Sequence, residues 1–351
     1  MKAINKSGKA IKRRTVQFSP HSRNLFFHIL TACNLKCAHC YINQEQHGTR
    51  TLDADTIKKW LDLFSRSNSS KAIKDVQDTN VIFLGGEPTL NPALALGIKE
   101  ARRLGYASVT VDTNGYLFHN ILERVTPEEV DYFSFSLDGS CPEVNDAIRG
   151  NGSFDTCTAG IQRAVELGFS VSSIFTANAG NIHDLPNMPE LLKRLGVSRF
   201  FIQVIGIRGK SAKGRGPLLQ LTKQEWESIV PETAQKAAEL GLICHYPTVF
   251  LSKDGPFECA GLVAENYFVF PNGRVYTCPL CEDYPLHSYE IENGRLIKRP
   301  PITETELFSL KIPEGCVMNK LLHPGNLSYD SNGDPLYKIA CCMLKEEISI
   351  A

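Results

Sequence analysis

Two things are missing from this 351-residue chain: a long apolar run and an imbalance of charge. No stretch approaches the ~20 consecutive apolar residues that span a bilayer. The basic start (Lys2, Lys6, Lys9, Lys12, Arg13, Arg14) is not followed by the apolar segment of a secretory signal. Lys+Arg and Asp+Glu number 38 each, so nothing in the net charge draws the chain to nucleic acid or an anionic membrane, and a nucleic-acid partner would need a local basic patch. Disorder and fibrous folds are excluded by 42% apolar residues, which suffice for one large domain or a domain with a smaller companion. The expectation is a cytoplasmic globular protein.

What the chain does have is cysteine, twelve in all. In a reducing compartment structural disulfides are rare, and clustered cysteines more often bind metal or do chemistry. Cys33, Cys37 and Cys40 form one tight group, and Cys259, Cys278, Cys281, Cys316, Cys341 and Cys342 crowd the last hundred residues. Cys141, Cys157 and Cys244 stand alone and read as ordinary buried thiols.

Four segments (101–113, 164–176, 192–204 and 237–249) each show a helical run ending in Leu-Gly and then a β-branched or aromatic stretch. Gly105, Gly168, Gly196 and Gly241 fall where a helix takes a left-handed cap, so each segment reads as helix, cap, buried strand. With strands at Leu25–Leu30, Val81–Leu84 and Val130–Leu137, this gives six strand–helix units and predicts a parallel sheet. Unusual residues follow the carboxyl end of each strand, the pattern of a barrel active site. The expected fold is α/β, a partial (β/α)6 TIM-like barrel with an apolar interior over residues 25–248. A basic segment precedes it (1–24), and a small Cys-rich α+β module follows (249–351). In that module Tyr267–Pro271 and Arg274–Tyr276, joined by Asn272-Gly273, read as a β-hairpin. Its weak apolar periodicity makes metal ligation its expected source of order.

Three thiolates spaced Cys33-x3-Cys37-x2-Cys40 leave one metal position open, where four would close a structural site. A zinc knuckle is the plainer alternative. Gly85-Gly86-Glu87-Pro88 taken alone is a capped turn, and Ser136-Leu137-Asp138-Gly139 a surface turn. The loop holding Arg208, Lys210, Lys213 and Arg215 reads as solvated or anion-binding.

Together these motifs resemble the radical S-adenosylmethionine (radical SAM) enzymes, whose Cys-x3-Cys-x-aromatic-Cys loop is matched by Cys33, Cys37, His39 and Cys40. The resemblance implies a [4Fe–4S] cluster on the three cysteines, S-adenosylmethionine chelated to its open iron, and reductive cleavage to a 5′-deoxyadenosyl radical. Gly85, Gly86 and Glu87 match the segment that approaches the cofactor and receives its ammonium. Ser136 and Asp138 match positions near the ribose, and Arg149 could pair with the carboxylate. The C-terminal cysteines resemble the opening of a SPASM or twitch domain through Cys259, Gly273 and Cys278, and the downstream SPASM pattern is missing. This implies one auxiliary [4Fe–4S] cluster with Cys259 and Cys278 as ligands and the rest from Cys281, Cys316 and one of the adjacent pair Cys341 and Cys342, Cys341 being the one assigned; a zinc site on Cys278 and Cys281 is the alternative.

Several functions are open on these grounds. The first is an oxidoreductase or maturase acting on a peptide or protein side chain. The second is the same chemistry on a small-molecule intermediate, and a non-catalytic iron–sulfur carrier or zinc scaffold stands further off. A low-potential donor such as flavodoxin or ferredoxin is implied. The 32 residues before Cys33 are too few for a fused leader-binding domain, so peptide recognition is expected to use a separate protein. No catalytic residue beyond the cofactor ligands is assigned.

Overall fold

The computed structural model describes residues 11–16, 22–66, 75–212, 219–322 and 327–350. Most of the N-terminal basic segment, and Lys213 and Arg215, lie outside the described residues.

In chain order the strands are β1 (Ile11–Val16), β2 (Arg23–His28), β3 (Thr79–Leu84), β4 (Ser108–Thr113), β5 (Tyr132–Ser136), β6 (Val171–Ala177), β7 (Arg199–Val204), β8 (Ile243–Pro247), β9 (Phe250–Ser252), β10 (Glu265–Val269), β11 (Arg274–Tyr276), β12 (Tyr289–Glu292), β13 (Arg295–Lys298), β14 (Tyr337–Ile339) and β15 (Lys345–Ile350). β2 to β8 lie side by side in sequence order, all parallel. All seven strands read from the sequence are present, β8 being the one after the Gly241 cap. The Leu-Gly steps cap as the sequence predicts: Gly105, Gly168, Gly196 and Gly241 have φ of 88°, 84°, 78° and 91°.

Successive side chains of a strand face opposite ways. On one face Leu25, Phe27, Val81, Phe83, Val109, Val111, Phe133 and Phe135 pack with Ile57, Leu61, Ile98 and Ile161 of the covering helices in one core. On the other, Phe26, His28, Leu84, Asp112, Ser136, Thr176, Gln203 and Lys345 line a shared cavity. The expectation of an apolar interior is therefore corrected: this face carries a carboxylate, an ammonium and amides.

The barrel is open. β15 joins β8 antiparallel and pairs with β1, while β10 joins β2 parallel and continues into β11, β12 and β13. The Cys-rich region thus extends the core sheet at both edges, and β9 and β14 form a separate pair. It also holds an apolar cluster of its own (Phe268, Phe270, Tyr276, Leu280, Cys281, Phe308, Cys316, Met318), more packing than its sequence periodicity suggests. The expected hairpin is present as β10–β11, with Gly273 at φ 92°. Arg23 of β2 and Glu265 of β10, both buried, pair at 3.0 Å, and Arg23 also donates to the Phe64 carbonyl at 2.9 Å.

Candidate active site at the carboxyl ends of the strands

Cys33, Cys37 and Cys40 lie on the loop after β2 and open onto a cavity of about 340 Å³. Packing from below fixes the loop. Gly86 N–H donates to the Leu30 carbonyl at 3.1 Å and Glu87 N–H to that of Ala32 at 3.0 Å. A Cβ at Gly86 would meet the Ala32 oxygen at 2.1 Å, so this glycine lets two stretches of this chain approach each other. At the far end of the loop, Lys210 N–H donates to the Cys40 carbonyl at 2.8 Å, and Ala38 N–H to the Ile148 carbonyl at 2.9 Å.

Glu87 and Asp138 are both fully buried, and each carboxylate is engaged by groups of the chain itself. Glu87 Oε1 accepts from Thr89 N–H (3.0 Å), the Thr89 hydroxyl (2.6 Å) and the Thr113 hydroxyl (2.8 Å), and Oε2 accepts from Asn114 N–H at 2.7 Å. Burial pushes its carboxyl up, against these four bonds. It ties the turn after β3 to the turn after β4. Asp138 Oδ1 accepts from Thr176 N–H at 2.7 Å, while Oδ2 lies 2.6 Å from both His39 Nε2 and Arg149 Nε. Burial opposes its ionisation, but Arg149 and then His39 outweigh it and hold the carboxyl down to about 2. Both oxygens of Asp138 are thus engaged within the chain. Ser136, by contrast, is part-exposed on the cavity wall.

Burial also raises the Cys33 thiol, to about 11. Cys37 is raised too, with Arg149 working against the shift. Asn114, one of the polar residues that follow the strand ends, donates from Nδ2 to Asn34 Oδ1 at 2.8 Å and lies 3.8 Å from Cys33 Sγ. Across the cavity, burial pushes Asp112 up to about 7 and Lys345 down. A charge within the strand at Asp112 was the available signal; Lys345 sits in the charged tail KEEISI, which reads as solvated. Arg208 is neither solvated nor free to bind an anion. It pairs with buried Glu282, contacts the Pro279 carbonyl and lies over the Tyr41 ring.

In the Cys-rich region, Cys259, Cys278, Cys316, Cys341 and Cys342 line one apolar pocket, with Cys281 buried beside Cys278. The neighbouring Cys342 thiol holds that of Cys341 below the usual thiol range. Among the described residues, no three His, Cys, Asp or Glu side chains already converge on one metal-sized point. Closing either group around a metal would take side-chain rotation. The donor set at the strand ends fits an iron–sulfur cluster: three thiols on one loop, each at least partly exposed, with open space in front.

An open parallel α/β barrel with a three-thiol loop at the carboxyl ends of its strands is the scaffold of a cofactor-dependent enzyme. Residues 28–192 match the family model described as the Radical SAM superfamily, so the chain carries a radical SAM domain. Among curated proteins it is similar to Fe-coproporphyrin III synthase of Methanosarcina barkeri, 29% identical over 74% of this chain and 64% of that one. It is also similar to the mycofactocin maturase MftC of Mycolicibacterium smegmatis, 26% identical over 73% and 64%. The chain thus spans less than two thirds of the length of these relatives. Among solved structures it shares the fold of Streptococcus suis SuiB, with TM-score 0.61 and 15% identity over 86% of this chain and 74% of that one. SuiB has also been solved with S-adenosylmethionine and with its precursor peptide SuiA, at TM-scores of 0.59 and 0.56. No helix among the described residues is long and apolar enough to cross a membrane.

Proposed function

We propose that this chain is a radical SAM enzyme that cleaves S-adenosylmethionine reductively and modifies a peptide or protein side chain. The observation that carries the reading is the convergence of Cys33, Cys37 and Cys40 with Arg149, Asn114 and Ser136 on one cavity. Bound there, the cluster and S-adenosylmethionine supply a 5′-deoxyadenosyl radical for hydrogen abstraction. The chain's residues bind and orient: Arg149 faces the cofactor carboxylate, and the Ser136 hydroxyl the ribose. Glu87 and Asp138 fix the walls. The substrate meets the floor of Asp112, Gln203 and Lys345, and a flavodoxin or ferredoxin delivers the electron.

The likeness to a maturase and to a fold solved with its precursor peptide supports the peptide reading. The likeness to Fe-coproporphyrin III synthase supports a second reading, a small-molecule substrate. The Cys-rich region is assigned one auxiliary [4Fe–4S] cluster, with Cys259 and Cys278 as ligands and the rest drawn from Cys281, Cys316 and Cys341. The test of substrate class is anaerobic turnover with short cysteine- or asparagine-rich peptides encoded beside the gene. A mass change in the peptide that depends on S-adenosylmethionine supports the first reading. Rapid formation of 5′-deoxyadenosine with a small molecule and no peptide product supports the second.

A further inference from the structure

Behind the cysteine loop lies a charge cluster built around one buried carboxylate. Asp138, at the end of β5, is fully buried, and its Oδ2 is within 2.6 Å of both His39 and Arg149. His39 belongs to the cysteine loop, between Cys37 and Cys40. Arg149 ends the helix Pro142–Arg149, whose Ile148 carbonyl accepts from Ala38 N–H, next to Cys37. The carboxylate therefore ties the cysteine loop to this helix and holds a guanidinium against the loop. Arg149 Nε is buried and contacts Asp138 as an ion without the alignment of a hydrogen bond, so it is placed by charge.

We propose that the Asp138–Arg149 pair sets the reduction potential of the iron–sulfur cluster on this loop. Arg149 raises it, and Asp138 offsets part of that charge while positioning Arg149 and His39. The proposal rests on the reading of Cys33, Cys37 and Cys40 as cluster ligands. A one-electron reduction adds one negative charge to the cluster, and in a low-dielectric site a fixed neighbouring cation favours the reduced form while an anion disfavours it. Both residues are positioning residues, not reacting ones.

The test is an anaerobic redox titration followed by electron paramagnetic resonance on reconstituted full-length protein carrying Ala at Cys259, Cys278, Cys281, Cys316 and Cys341, so that only the loop cluster is read. Arg149→Gln is expected to lower the midpoint potential, Asp138→Asn to raise it, and Arg149→Lys to stay near the parent value. Shifts of Arg149→Gln and Asp138→Asn in the same direction, or no shift with iron content intact, would overturn the proposal. So would an Arg149→Lys variant displaced as far as Arg149→Gln, since geometry rather than charge would then be in control. If Asp138→Asn loses iron, the comparison of Gln with Lys at position 149 still decides. A parent protein that binds no iron after reconstitution refutes the ligand assignment instead, so the two failures are distinct.

Discussion

The guanidinium of Arg208 lies 4.6 Å from the centre of the Tyr41 ring. Tyr41 directly follows Cys40, and its hydroxyl hydrogen-bonds His28 Nε2 at 2.8 Å. Arg208 also pairs with Glu282, one residue after Cys281. The loop after β7 thus clamps the first cysteine group to the second.

Removing one member of a buried ion pair leaves its partner as an uncompensated charge. Arg208→Ala leaves Glu282 buried and alone and is expected to cost about 3–5 kcal/mol. The midpoint of urea unfolding measures it, with Glu282→Gln in the same background as the control. A loss below about 0.5 kcal/mol, the scale of substitutions away from such features, contradicts the clamp.

Arg23 and Glu265 bridge β2 and β10 at 3.0 Å, both almost wholly out of solvent. Arg23→Ala is expected to cost a similar 3–5 kcal/mol and to loosen the Cys-rich region before the barrel. Hydrogen exchange should show early loss of protection in β10 and β11, with β4 and β5 unchanged. Uniform loss across the sheet would mean that the two regions unfold as one unit.

Asp112 has its carboxyl raised from the usual range to about 7 by burial. A raised carboxyl binds its proton more tightly folded than unfolded, so its stabilising effect is complete below about pH 4 and is lost as pH rises through about 7. Unfolding free energies of the parent and of Asp112→Asn, measured across pH 4 to 8, should therefore differ with pH. The parent should lose stability relative to the variant as pH rises, and a constant difference contradicts the raised value.

At Gly86 a methyl group would collide with the Ala32 carbonyl oxygen. Overpacking of this kind typically costs about 1–3 kcal/mol, and here it pushes on the segment leading to Cys33. Gly86→Ala is expected to fold with reduced stability and to hold less iron after reconstitution. Full iron loading would show that the loop does not depend on this contact.

The order of strands was legible because the Leu-Gly caps repeat at regular intervals, and local cap geometry needs no tertiary information. The grouping of the three cysteines was legible from their spacing, while a cluster on them is what the family resemblance implies. The partners of Glu87 and Asp138 were not: a motif names the carboxylate, but only the fold brings Asn114 and Arg149 to it from distant segments. The polar floor was hidden for a related reason. Asp112 and Lys345 are more than two hundred positions apart and meet only because β15 returns to the sheet beside β8. The same return explains why the Cys-rich region reads as a separate module in sequence and continues the core sheet in space.

The central claim is that Cys33, Cys37 and Cys40 carry the chemistry. Its most direct test is the yield of 5′-deoxyadenosine from anaerobically reconstituted, dithionite-reduced protein supplied with S-adenosylmethionine. The parent protein is expected to form it, and the variant with all three cysteines changed to Ala to form none above background. Equal yields from the two, or none from a parent protein shown to hold iron, would contradict the account.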